Sequence, residues 1–460
     1  MKRVVIVGGG IAGLAAAHRL LPEAGEVALI ESAPHLGGKI ITERVDDFII
    51  EGGPDSFLAI KPRGLGLCRE LGLEARLQGT NEKARRTYVM RGGKLYELPE
   101  GLTGLIPSRF GPLLKTDLLS PLGKVRLGLD CVIPPRNQND DESLATFIER
   151  RLGSEVYERL IEPLLSGIYA GDGAQLSLAA TFPQLRQAEL EHGSLIRGVL
   201  AAQKKAALSR PSSAFLTPVN GLAELVAALE AKLERVEKRC GTAVVGVTAT
   251  SDGYGVTLEN GDSVAAASVI LATPAFITAD LMSDLDPELA GALRGIPYVS
   301  TATISVAYPL SDIPRPLAGY GYIIPRAEKR LILACTWTST KFPHRAPEGF
   351  ALIRVFVGRA GQEAVLDKTD EELLQFARAE LQRTLGITAS PILHRLFRWP
   401  KAIPQYTLGH LDRLAVIERR LAKHPGLFVA GNAYRGVGIP DCIACGEVAA
   451  EKVLTFLSKC

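Results

Sequence analysis

The sequence predicts an α/β chain with a Rossmann-like dinucleotide-binding lobe, a second, β-rich lobe and a helical cap. Three observations predict it. Residues 4–7 (VVIV) are a short apolar, β-branched run that passes directly into Gly8-Gly9-Gly10-Ile11-Ala12-Gly13, the pattern of a buried parallel strand meeting a glycine turn. A second apolar run at 27–30 ends on Glu31. A third, at 427–430, meets a glycine-rich segment from Gly431 to Ile439, and Asp441 then opens a last helix.

The first element is a G-x-G-x-x-G between strand and helix. Gly8 permits the tight turn, Gly10 lets backbone approach a pyrophosphate, and Gly13 lets helix and strand pack closely. Free N–H groups at the start of the following helix suit phosphate. Glu31 stands where a ribose hydroxyl is held. Two further glycine pairs follow, Gly37-Gly38 in LGGKI and Gly52-Gly53 in EGGPDSF, each able to bring backbone close to a large ligand.

Residues 58–85 read as helical, and 88–96 as a hairpin turning at Gly92-Gly93. From 102 to 129 leucines alternate with prolines, and Arg109, Lys115, Lys124 and Arg126 face only Asp117. Apolar residues beside basic ones suit an anionic membrane surface or the mouth of a site for an acidic substrate. Amphipathic helices are expected over 142–152 and 155–165, then Ser166-Gly167-Ile168-Tyr169-Ala170-Gly171-Asp172 as a glycine-flanked segment near a ligand. Residues 203–217 read as an exposed loop, and 221–239 as helix. Turn pairs Asp252-Gly253 and Asn260-Gly261 separate three strands between 242 and 272. Residues 297–357 are strand-rich and suit one wall of a substrate cavity. The dinucleotide lobe is assigned to 1–87, 220–275 and 425–460. The helical, membrane-facing lobe is assigned to 88–205 and the substrate lobe to 276–424.

Composition narrows the functions. The 460 residues carry 53 Lys+Arg against 50 Asp+Glu, a net charge of +3, which argues against nucleic acid as partner. Seven widely spaced cysteines read as a reducing compartment rather than a disulfide framework. The apolar start is too short for a signal peptide core, and the longest uncharged run, 263–279, reads as strand, turn and helix start rather than a membrane span, so a cytoplasmic protein with at most peripheral membrane contact is expected. Cys442-Ile443-Ala444-Cys445 is read as buried packing rather than a second redox centre. Seven histidines without i, i+4 pairing give no metal site.

GGGIAGL, LGGKI, EGGPDSF, SGIYAGD, IPQYTLGH and GNAYRGVGIPDCI together resemble the protoporphyrinogen oxidase family, with its coproporphyrinogen-oxidising members, in the FAD-binding amine oxidase superfamily. The resemblance spans nearly the whole chain. It implies non-covalent FAD held by Gly8, Gly10, Gly13, Glu31, Ser32, Lys39, Gly53, Pro54, Asp55, Ser56, Val244, Trp399, Val437, Gly438 and Ile439. It implies a porphyrinogen slot at Gly167, Ile323 and Phe356. Two positions depart from the family pattern. Thr87 stands where an arginine is usual, so Arg85 or Arg86 would meet the propionates, and Thr336 replaces an apolar wall residue of plant relatives. No catalytic side chain is assigned, since the flavin accepts the electrons and the protein orients. The implied reaction is protoporphyrinogen IX + 3 O2 to protoporphyrin IX + 3 H2O2, with coproporphyrinogen III the alternative substrate. Another amine-oxidase-like enzyme and a non-catalytic porphyrin carrier are the rivals. Dioxygen, hand-over to a ferrochelatase, and a monomer or homodimer complete the expectation.

Overall fold

Strand Arg3–Val7 has parallel neighbours on both edges and is apolar after its first residue because both its faces are buried, Val4 and Ile6 in one core and Val5 and Val7 in another. The computed structural model describes residues 2–99, 102–103, 106–107, 110–137, 140–205 and 213–459. It places this strand at the centre of a five-stranded parallel sheet, in the order Glu237–Cys240, Glu26–Glu31, Arg3–Val7, Ser268–Leu271, Leu427–Val429. Helices Ile11–Leu20 and Ile439–Lys459 pack on one face. They cross closely because Gly446 has no side chain: a Cβ there would lie 2.1 Å from the Ala12 carbonyl oxygen. On the other face Val5 and Val7 pack against Val247 and Val256 of an antiparallel meander, Val244–Thr250, Gly253–Leu258 and Ser263–Ala266.

The second lobe is a seven-stranded sheet in the order Leu393–Pro404, Tyr298–Pro309, Phe350–Val357, Ile332–Trp337, Gly321–Ile323, Thr87–Arg91, Lys94–Glu97. Helix Asp370–Leu385, started by a capping box from Thr369 and Glu372, covers one face. It buries Leu373, Ala377 and Leu381 against Ile353, Val355 and Val357. The opposite face fronts the cavity described below. Above it lies a helical lobe packed around Phe147, Leu160 and Leu165. Within that lobe Arg151 and Asp130, both fully buried, pair at 2.5 Å.

Several expectations are corrected. The helix read over 58–85 is only Pro62–Glu70, because Gly72 takes φ +75° and turns the chain into strand Leu77–Gly79. The hairpin at 87–97, assigned to the helical lobe, extends the substrate sheet, with Thr87–Arg91 parallel to Gly321–Ile323. The glycine-flanked segment begins as helix: Ser166 to Tyr169 form the last turn of helix Glu162–Tyr169, and the chain turns at Ala170, which is left-handed at φ +47°. The helix after Gly221 stops at Lys232, and Glu237–Cys240 joins the parallel sheet. In the expected loop at 203–217, residues 206–212 lie outside the described residues, while Phe215–Pro218 is a strand between Phe57–Leu58 and Leu77–Gly79.

The basic segment is also altered. Arg109 lies outside the described residues. The Arg126 guanidinium is turned inward, donating to the carbonyls of Glu149, Arg150 and Arg151 at 2.9, 2.7 and 3.1 Å, so it caps the end of helix Leu144–Leu152. What faces solvent instead is apolar: Leu122, Val125 and Val132 are 81%, 64% and 73% exposed. Among the described residues no helix is long and apolar enough to cross a membrane, and no cluster of three His, Cys, Asp or Glu could hold a metal ion.

Candidate active site

A cavity of about 750 Å³ runs from the parallel sheet's glycine loop to the face of the seven-stranded sheet, with Gly167 and Ile168 at its helical side. At its nucleotide end Gly8 takes φ +108° and gives its N–H to the Ile30 carbonyl at 2.8 Å. Only glycine takes that φ without cost. A Cβ on Gly13 would lie 1.9 Å from the Gly8 carbonyl oxygen. Gly10, by contrast, has ordinary backbone angles, φ −68° and ψ 174°, and a Cβ there would meet nothing within 4 Å. The room beside Gly10 is therefore not needed for packing; it fits a ligand phosphate at the N-terminus of helix Ile11–Leu20. The Glu31 carboxylate accepts from the N–H groups of Gly9 and Ala33 at 2.7 and 2.8 Å and from the Ser32 hydroxyl at 3.1 Å. It closes the loop and retains lone pairs for a ribose hydroxyl.

The second glycine pair folds back onto the first, with the Gly37 N–H donating to the Gly9 carbonyl at 2.8 Å. Lys39 follows in the cavity wall, its Nζ on the Ala402 carbonyl at 2.5 Å, and burial lowers its pKa. The third pair is pinned by the other lobe. The Gly52 carbonyl accepts from Trp399 Nε1 at 2.9 Å, Thr303 Oγ1 at 3.1 Å and Arg354 Nη2 at 3.0 Å. Asp55 sits behind this loop: burial would raise its carboxyl, but Lys341 Nζ at 2.8 Å and the Ser56 hydroxyl at 2.6 Å hold it below the usual carboxylate range.

The later motifs converge beside the cavity through buried hydrogen bonds. Gln405 Nε2 donates to the Tyr169 carbonyl at 2.9 Å, and Tyr406 donates to the Asn432 carbonyl at 2.6 Å. His410 stacks on Tyr406 at 4.2 Å, and its Nε2 lies 3.2 Å from the Tyr434 carbonyl. Burial brings the His410 pKa down to about 4, so it is a neutral structural ring. Burial pushes the Cys442 thiol up to about 12, a protonated group rather than a reactive thiolate.

Of the residues expected for the cofactor, Gly8, Gly10, Glu31, Ser32, Lys39, Gly53, Pro54, Ser56, Val244, Trp399, Val437, Gly438 and Ile439 line this one cavity; Gly13 and Asp55 lie behind its wall. Gly167 and Phe356 line it too. Three expected substrate residues do not. Ile323 sits two strands out from Phe356, opposite Ala334, which is itself opposite Phe356. Arg85 and Arg86 are exposed, and Arg86 faces Glu97 at 3.8 Å. They are near Thr87 in sequence, but Thr87 lies in the sheet's outer hairpin. Besides Lys39, the cation that lines the cavity is Arg354, on the sheet that bears Phe356, and sequence reasoning missed it. Its signal was present: a single arginine inside the apolar run ALIRVFV.

Comparison with known proteins gives the chain's family and fold. A family model described as flavin containing amine oxidoreductase matches residues 11–454. Coproporphyrinogen III oxidase of Bacillus subtilis (strain 168) is 38% identical, covering 99% of this chain and 98% of its own. Protoporphyrinogen oxidase of Homo sapiens is 32% identical over 98% of both chains. A solved structure of a candidate protoporphyrinogen oxidase from Exiguobacterium sp. 255-15 superposes with TM-score 0.87, at 35% identity over 99% of each chain. Reduced UDP-galactopyranose mutase, TM-score 0.73 at 16% identity over 99% of this chain and 94% of its own, shares the fold alone.

Proposed function

We propose a function from the premise that this chain belongs to the flavin containing amine oxidoreductase family: it oxidises a porphyrinogen to a porphyrin in haem biosynthesis. The observation that carries this reading is the continuity of the cavity, in which the dinucleotide cradle at Gly10 and the slot between Gly167 and Phe356 share one volume. FAD, when bound, supplies the two-electron acceptor that dioxygen regenerates. The chain's own residues do the rest. Glu31 and the Gly8–Gly13 turn hold the nucleotide. Trp399, Thr303 and Arg354 fix the Gly52-Gly53 loop. Phe356 gives the macrocycle an apolar face, and the missing side chain at Gly167 leaves it room. Orientation of this kind is worth several kcal/mol of a barrier, up to roughly 7–11 at best.

Coproporphyrinogen III stands ahead of protoporphyrinogen IX as the substrate, in keeping with relatives from Bacillus subtilis, Staphylococcus aureus and Propionibacterium freudenreichii that bear the name coproporphyrinogen III oxidase. The test is aerobic turnover of each porphyrinogen by the flavin-loaded protein. A carrier that only transfers porphyrin would bind product without turnover.

A cytoplasmic site of action, hand-over to a ferrochelatase and a monomeric or dimeric state belong to the same proposal, as does peripheral contact with an anionic membrane. Exposed Leu122, Val125 and Val132 beside Lys115 and Lys124 support that contact. Each lysine near such a surface contributes about 1 kcal/mol, and each exposed leucine or valine that becomes buried about 1.5–3 kcal/mol. Leu122→Ser with Val125→Ser is therefore expected to reduce flotation with anionic liposomes more than Lys115→Gln with Lys124→Gln does. Parent-like flotation of both double variants would show a merely solvated face.

A further inference from the structure

We infer that Arg354 is a specificity-determining residue that pairs with a substrate carboxylate inside the cavity, and so selects a porphyrinogen bearing a carboxylate arm on every pyrrole over one bearing only two. This rests on the porphyrinogen reading above and deepens it.

Among the described residues four arginines are buried: Arg151, Arg345, Arg354 and Arg359. Arg151 pairs with Asp130 at 2.5 Å, Arg345 with Glu51 at 2.9 Å, and Arg359 faces Glu162 at 4.0 Å. Arg354 alone has no carboxylate within 4.0 Å among the described residues. Its Nη2 donates to two neutral carbonyls, Gly52 at 3.0 Å and Gly53 at 2.5 Å, and its buried Nε has no acceptor. The nearest acids are already occupied, Glu51 by Arg345 and Asp55 by Lys341. Behind the cavity wall Arg345 and Lys341 use up Glu51 and Asp55, which leaves the positive charge of Arg354, on a residue only 3% exposed, in excess at the wall itself.

A buried charge without a counter-charge is costly, because desolvation is not repaid. A guanidinium cannot escape by losing its proton. Since Arg354 lines the cavity, the missing charge can come from the cavity's occupant. The cofactor's own anionic group belongs at the Gly8–Gly13 end, whereas Arg354 stands on the substrate sheet, its guanidinium 4.9 Å from the Phe356 ring centre.

The two candidate substrates differ in a way that such a charge detects. Protoporphyrinogen IX carries both propionates on one edge and vinyl groups on the other. It can enter vinyl edge first, leaving its carboxylates toward the exposed side at Gly167 and Ile168 and Arg354 unpaired. Coproporphyrinogen III carries a propionate on every pyrrole, so whichever edge enters brings a carboxylate to the floor. A charge-assisted, fork-shaped contact is what arginine offers a carboxylate.

The test measures kcat/KM for both porphyrinogens with flavin-loaded parent, Arg354→Gln and Arg354→Lys. The parent is expected to prefer coproporphyrinogen III. Arg354→Gln should lose about tenfold or more of that preference, chiefly through KM, while Arg354→Lys, which keeps the charge but not the fork, should lose less of it. A purely structural role would lower both substrates together, so an unchanged ratio overturns the proposal. If Arg354→Gln fails to hold FAD, because the same guanidinium supports the Gly52-Gly53 loop, the parent decides. Its affinity for coproporphyrin III must exceed that for protoporphyrin IX, and equal affinities overturn the proposal. Failure of the parent to oxidise either porphyrinogen is a different result and removes the functional reading instead.

Discussion

Replacing Gly167 by leucine is expected to remove turnover, by roughly a hundredfold or more, while FAD stays bound. The reason is local and geometric. Gly167 lies in the last turn of helix Glu162–Tyr169, and a Cβ placed there meets nothing within 4 Å. Leucine therefore costs the fold nothing, and removing a helical glycine stabilises by up to about 1 kcal/mol. The added side chain enters the cavity's helical side, opposite the sheet that bears Phe356. No residue of the nucleotide cradle is disturbed. A melting temperature at or above the parent's, full flavin absorbance and lost porphyrin formation are the expected set; parent-like turnover would mean the macrocycle does not pass Gly167.

The second large effect is the converse. Gly10→Val should leave a folded protein that no longer retains FAD. Valine tolerates φ −68° and ψ 174°, and open space surrounds the Cβ position. The cost to the fold is at most about 1 kcal/mol, from placing a β-branched residue at a helix cap. Its methyl groups would occupy the space where phosphate must reach the N-terminal N–H groups of helix Ile11–Leu20. Loss of two charge-assisted hydrogen bonds, each about 1.5–3 kcal/mol, weakens FAD by a hundredfold or more. Gly13→Val makes the control, because its Cβ would strike the Gly8 carbonyl at 1.9 Å and damage the fold itself. Flavin retention by Gly10→Val, measured after reconstitution and desalting, would show that phosphate does not occupy this space.

These positions were legible in the sequence because their constraints are local. Gly8 is required by its own φ, and Gly13 by a carbonyl five residues away. The later motifs were legible as blocks but not as contacts: Gln405 reaches Tyr169 across 236 residues of sequence. Arg354 is legible only as an arginine inside an apolar run; its place in the site is not, because its partners Gly52 and Gly53 are 302 and 301 residues away. Arg85 and Arg86 were chosen for being next to Thr87, yet strand order places that hairpin at the sheet's far edge. The helix read across 58–85 failed at one backbone torsion, Gly72, which period counting does not see. Arg126 illustrates the same limit in the basic segment. Charge density placed it on a surface, whereas unsatisfied carbonyls at the end of helix Leu144–Leu152 draw it inward.

The most direct test of the central claim is the stoichiometry of a single reaction. Flavin-loaded protein is mixed under air with coproporphyrinogen III, and in parallel with protoporphyrinogen IX, while porphyrin fluorescence and hydrogen peroxide are followed together. Removing six electrons and six hydrogens from the macrocycle consumes three molecules of dioxygen. Enzyme-dependent porphyrin is therefore expected with three peroxides per porphyrin, forming faster from coproporphyrinogen III. Porphyrin appearing no faster than in protein-free controls, with both substrates and a full complement of FAD, would contradict it.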